Sequence, residues 1–102
     1  RYVSAELRGD RAVVLVAVTE QGLALFYASE ELKADRKVVI AAVAQNGYAL
    51  KYAAKELKAD RKVVMAAVAQ TGGALAYASE ELRNDPEIIE FTKLSGSIRN
   101  KV

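Results

Sequence analysis
The sequence predicts an all-α fold, a short α-solenoid of 25-residue helix-turn-helix repeats, and three observations carry that prediction. Leu7, Leu32, Leu57 and Leu82 recur in phase with Asp10, Asp35, Asp60 and Asp85, while Tyr2, Tyr27, Tyr52 and Tyr77 keep the same step. Residues 32–56 and 57–81 share 19 of 25 positions, which chance does not produce. Within a copy, Val38, Val39, Ala42 and Val43 fall at helical spacing between Asp35 and Asn46-Gly47.

Taken in order, the elements begin with a half repeat over residues 1–9, in which Tyr2 to Leu7 matches the second helix of a copy. Repeats follow at 10–34, 35–59 and 60–84. In each, the first helix (Arg36 to Gln45 in the middle copy) starts at an Asp whose carboxylate accepts from first-turn N–H groups. It is expected to stop at a Gly in the left-handed conformation, Gly47. The second helix, about Tyr48 to Leu57, aligns Leu50, Ala53 and Leu57 at spacings of three and four. A strand reading of the Val-Val runs fails because Ala-Ala-Val-Ala follows without alternation or turn. A last helix over 85–94 opens on Asp85-Pro86, with Pro at the first helical position, where a missing N–H costs nothing. There Glu90 and Lys93 replace the apolar residues of earlier copies, as suits a capping helix. Residues 95–102 break the pattern and are expected to form a tail or linker, so one domain covers 1–94.

Composition narrows the chemistry. The 102 residues carry no His, no Cys and no Trp, and Lys+Arg 15 stand against Asp+Glu 13, a net charge of +2. Without His or Cys the common zinc ligands and nucleophile pairs are missing, so an enzyme is not expected and neither is any cofactor. A charge of +2 is too small to argue for nucleic acid. Acidic residues interrupt every apolar run well short of the roughly 20 residues of a membrane helix, so a soluble chain compatible with a reducing compartment is expected. The chain opens at Arg1 in mid-pattern without an initiator Met, and a piece of a longer protein is expected.

The string Leu-Lys-Ala-Asp-Arg-Lys-Val-Val-x-Ala-Ala-Val-Ala-Gln-x-Gly-x-Ala-Leu-x-Tyr-Ala, read from residues 32–53 and 57–78, resembles the tandem-repeat family named domain of unknown function 4116. The resemblance covers residues 2 to about 91 and implies a helical repeat with no assigned activity. It implies further that such copies sit in large proteins of intracellular bacteria, algae and protists, some of them secreted effectors. The third copy departs at Gly73 and Ala76, and Glu20 stands where the other copies have Gln45 and Gln70.

Candidate functional residues come from comparing the copies. Leu25/Leu50/Leu75, Tyr27/Tyr52/Tyr77 and Leu32/Leu57/Leu82 never change, so packing holds them. Leu23/Tyr48/Gly73, Phe26/Lys51/Ala76 and Glu30/Lys55/Glu80 change in size, polarity and charge sign. Spaced i, i+3 and i+7, they are expected to share one helix face. Leu23, Phe26, Glu30, Tyr48, Lys51, Lys55, Ala76 and Glu80 are therefore the partner-binding candidates, for a protein or peptide. A second set, Arg11, Arg36, Lys37, Arg61 and Lys62, forms a basic edge that would suit nucleic acid or another anionic surface. Because cations in the first turn oppose the helix dipole, the Asp row is expected to neutralise this edge. Ser29, Ser79 and the Glu30-Glu31 and Glu80-Glu81 pairs are read as solvated helix face. The function expected is a non-catalytic interaction scaffold.

Overall fold
The computed structural model describes the backbone of residues 9–101 and the side-chain surroundings of residues 9–94; the expected helix over Tyr2 to Leu7 lies outside them. No strand occurs among the described residues. The first helix of each copy is as expected: α1 is Arg11–Glu20, α3 is Arg36–Gln45 and α5 is Arg61–Gln70. Between and after them stand three one-turn helices, α2 (Glu30–Lys33), α4 (Lys55–Lys58) and α6 (Glu80–Arg83). The chain closes on α7, Pro86–Lys101.

Each Asp cap is in place. Asp35 accepts from the backbone N–H groups of Lys37 and Val38, and Asp60 from those of Lys62 and Val63. The apolar stripe these caps launch is the core. Val38, Val39, Ala42 and Val43 are fully buried, as are Val63, Val64, Ala67 and Val68 one copy later. Consecutive long helices pack on each other, and the same pairing recurs from copy to copy, as a solenoid requires.

Two expectations are corrected. The second helix is not one helix. Gly47–Tyr52 is a 3₁₀ segment, Ala53 and Ala54 are extended, and only Lys55–Lys58 is α-helical. Gly22–Tyr27 and Gly72–Tyr77 repeat the pattern. The reason is an inter-copy hydrogen bond: the Ala54 N–H donates to the Lys33 carbonyl and the Ser79 N–H to the Lys58 carbonyl, both at 2.9 Å. The extended residue turns its N–H towards the preceding copy, whereas in a continued helix it would point along the axis to the carbonyl four residues back. Ser29 and Ser79 are accordingly not solvated helix face. They are N-caps, accepting from Leu32 and Leu82 N–H groups.

The glycine expectation also changes. No described residue has a positive φ, and the long helix stops where Asn46 turns extended (φ −151°, ψ 109°). Gly47 is needed for space. A Cβ there would stand 2.5 Å from the Ala67 carbonyl oxygen of the next copy.

At the other end, α7 continues helical to Lys101, so the backbone shows no break at Ser95, where the tail was expected to begin. Ile88 is fully buried, and Glu90 and Lys93 are exposed. Lys93 stands where the earlier copies have Val18, Val43 and Val68, which are fully buried, and it is itself exposed among the described residues.

Candidate functional site
The 3₁₀ segments arrange the variable positions. With three residues per turn, side chains at i and i+3 eclipse, so each six-residue segment presents three rows. In the first, Gly22 and Leu25 form the buried row, Ala24 and Tyr27 a half-buried row, and Leu23 and Phe26 an exposed row. The exposed row continues as Tyr48 and Lys51, then Gly73 and Ala76. Of the five large apolar side chains exposed among the described residues, three lie on it: Leu23 (41%), Phe26 (52%) and Tyr48 (45%). The expected shared face therefore exists for two of its three positions. Its basis is the 3₁₀ repeat and not an α-helix.

Glu30, Lys55 and Glu80, the third position, open the one-turn helices beyond the extended break. They are exposed but belong to a different element, because the break at Ala28-Ser29 and its equivalents cancels the i+7 relation. Glu30 returns to the surface indirectly. Its carboxylate pairs with Lys33 at 3.5 Å, and the Lys33 ammonium stands 5.7 Å from the Phe26 ring centroid.

Contacts between copies explain the variation along the exposed row. Phe26 meets Tyr52 of the next copy edge-on, with centroids 5.1 Å apart. One copy later Lys51 holds the same place, and its ammonium lies 5.9 Å from the Tyr77 centroid. Each variable residue thus sits on the invariant Tyr of the copy that follows, by ring contact at one junction and by cation–π contact at the next. Ala76 precedes α7, which offers no such Tyr. Gly73 has its own reason. A Cβ on it would stand 2.9 Å from the Tyr48 hydroxyl, so its missing side chain leaves room for Tyr48, which also meets Tyr77 at 6.3 Å. These contacts join Phe26, Tyr52, Lys51, Tyr77 and Tyr48 into one half-exposed ribbon across three copies. Tyr48 and Lys51 were found by comparing the copies, whereas Tyr52 and Tyr77 were missed because invariance reads as core; their half-burial shows them serving both core and surface.

Beside the ribbon, between the first two copies, lies an open groove of about 690 Å³ walled by Leu23, Phe26, Tyr27 and Tyr52 and rimmed by Glu20, Gln45 and Asn46. None of Glu20, Gln45, Asn46 or the Tyr residues was singled out from the sequence as a partner-binding residue. The signal available was Glu20, the one departure from Gln at its position.

The basic edge lies at the opposite ends of the long helices. Arg11 reaches Asp35 of the next copy at 2.6 Å, Arg36 reaches Asp60 at 3.1 Å, and Arg61 reaches Asp85 at 2.6 Å and also Glu87. The hydrogen bond from Arg11 holds the Asp35 carboxyl below the usual carboxylate range, and that from Arg61 does the same for Asp85. Asp35, Asp60 and Asp85 thus each serve two partners, their own helix N-terminus and the preceding copy's Arg. Lys37 and Lys62 are exposed and make no ion pair among the described residues.

No helix among the described residues is long and apolar enough to cross a membrane. No curated protein and no solved structure matches the chain. The family model Domain of unknown function (DUF4116) matches three segments, residues 1–33, 10–58 and 60–91. Those segments take in every copy of the unit described above, the capped long helix, the 3₁₀ segment and the one-turn helix, and the chain belongs to the Domain of unknown function (DUF4116) family.

Proposed function
We propose that the chain is a non-catalytic interaction module that engages a protein or peptide partner through the 3₁₀ face. The observation that carries this reading is the ribbon itself: exposed aromatic and cationic side chains, continuous across copies, at the positions whose chemistry differs from copy to copy. Binding surfaces are enriched in aromatic residues that combine area with low conformational entropy. Invariant Leu and Val residues hold the scaffold, so the row can change without disturbing it.

The alternative, an anionic ligand on the basic edge, draws less support. Arg11, Arg36 and Arg61 already hold carboxylates, and a phosphate would compete with each. The test is selection of binders from a random-peptide display library, followed by rebinding to Phe26→Ala and Lys51→Glu variants. Selected peptides should lose most of their affinity for both variants while circular dichroism is unchanged. Peptides indifferent to both changes, or salt-sensitive binding to single-stranded or duplex DNA in their place, would overturn the reading.

A further inference from the structure
We propose that the groove between the first and second copies takes the side chain of an arginine presented by a partner peptide. The proposal rests on the interaction-module reading and adds to it the chemistry of the ligand.

The groove is negative at one end and aromatic along its wall. Glu20 is the last residue of α1, exposed, and without an ion pair among the described residues. A carboxylate at a helix C-terminus faces carbonyl groups of its own sign, an arrangement that costs stability. The last turns of α1 and α3, which both end at this groove, carry no basic residue, and no ion pair reaches Glu20 among the described residues. In the other copies the equivalent residue is a Gln tied to the preceding copy. Gln45 accepts from the Gly22 N–H at 2.5 Å, and Gln70 donates to the Ala44 carbonyl at 2.8 Å. Glu20 thus places a carboxylate, without an ion pair among the described residues, where the later copies carry a stapling amide, at the rim of an open groove.

The aromatic wall is of the kind that receives cations. Lys33 and Lys51 already stand 5.7 Å from the ring centroids of Phe26 and Tyr52, and neither of them lines the groove. Donors complete the site. The Gln45 side-chain oxygen is taken by Gly22 and that of Asn46 by the Tyr48 N–H, which leaves both amide nitrogens to donate to the carbonyls of an extended peptide. At about 690 Å³ the groove falls within the usual size of a ligand site. Arginine fits better than lysine, because a planar guanidinium can stack on Phe26 or Tyr52 and pair with Glu20 in the same pose.

The experiment is a nitrogen-15 NMR titration of the whole chain with Ac-Gly-Ser-Arg-Ser-Gly-amide and with counterparts carrying Lys, Leu or Glu in place of Arg. The Arg peptide should move the amide signals of Gln21, Gly22 and Asn46 and bind more tightly than the other three. Glu20→Gln should weaken it about fivefold and leave the Leu peptide unchanged, the scale of one partly exposed charge pair. Phe26→Ala should weaken the Arg peptide as well. A Leu or Lys peptide that binds equally well, or an Arg peptide indifferent to Glu20→Gln, overturns the arginine assignment. Failure of all four peptides at the groove does the same, and displayed binders that still depend on Phe26 and Lys51 would leave the broader reading standing.

Discussion

At the scale of single residues, this chain places two demands on the same atoms. Asp35 caps α3 through one carboxylate oxygen and receives Arg11 through the other, so its charge supports both a helix and a junction. Its pKa is depressed when folded, so its contribution to stability is present above the unfolded value, about 4, and is lost as pH falls through the lower folded value. Urea denaturation should therefore show stability constant near neutrality and falling below about pH 4, and Arg11→Gln should flatten that fall. An identical acid limb in the variant would detach it from this pair. Glycine is a second case of demand from a neighbouring copy. Gly47→Ala forces a Cβ against a backbone oxygen and should cost about 1–3 kcal/mol, the scale of overpacking. At Gly72 the nearest atom to a new Cβ is the Thr92 methyl at 3.3 Å, and Gly72→Ala should change stability by less than about 0.5 kcal/mol, because Ala loses less chain entropy than Gly. Equal midpoints in chemical denaturation for the two variants would show that close approach is not what selects glycine.

At the scale of elements, the middle copy supplies its own control. Ser29 and Ser79 cap α2 and α6, whereas Ala54 leaves α4 without a side-chain acceptor. Ala54→Ser should stabilise the chain by about 0.5–1 kcal/mol, read as a rise in the denaturation midpoint at unchanged slope. No rise would mean that the Ala54 N–H bond to Lys33 holds this turn without help from a cap. The same turn shows what the sequence disclosed. The long helices were legible because both ends are marked locally, by Asp before and Asn-Gly, Gln-Gly or Thr-Gly after. The 3₁₀ segment and its break were not, because Ala-Leu-Lys-Tyr-Ala-Ala favours a continuous helix and what interrupts it is a carbonyl some twenty residues away. Ser-Glu-Glu-Leu, an N-cap residue followed by first-turn acids, was the available signal for a new helix start. Positions 23 and 26 were paired correctly even so, since a spacing of three falls on one face in either helix type. Position 30 was not, because its grouping needed the helix to be unbroken.

At the scale of the whole molecule, the chain forms a slab of 42 × 30 × 16 Å, thin because each copy contributes only a long helix, backed by a 3₁₀ segment, and a single turn. No copy encloses its own core. Val38 and Ala42 are fully buried in α3, while their equivalents in α1, Val13 and Ala17, are only half-buried, so burial in one copy depends on the copy beside it. The apolar face of α5 is covered in turn by α7, which inserts Ile88 into the core and turns Glu90 and Lys93 outward. A contiguous apolar face of this kind is a self-association surface once uncovered. Removing residues 86–102 should therefore leave the capped helices largely formed but expose α5 and the third 3₁₀ segment. Size-exclusion chromatography with light scattering should show dimers or larger species at micromolar concentration, where the intact chain shows fewer. Ile88→Asp, which keeps α7 in the chain but prevents its docking, should produce the same association, because a buried unpaired carboxylate is more costly than an open interface. A truncated chain that stays monomeric and cooperative would mean that α5 closes the stack on its own. The polar residues of α7 would then have to be explained by something other than covering it.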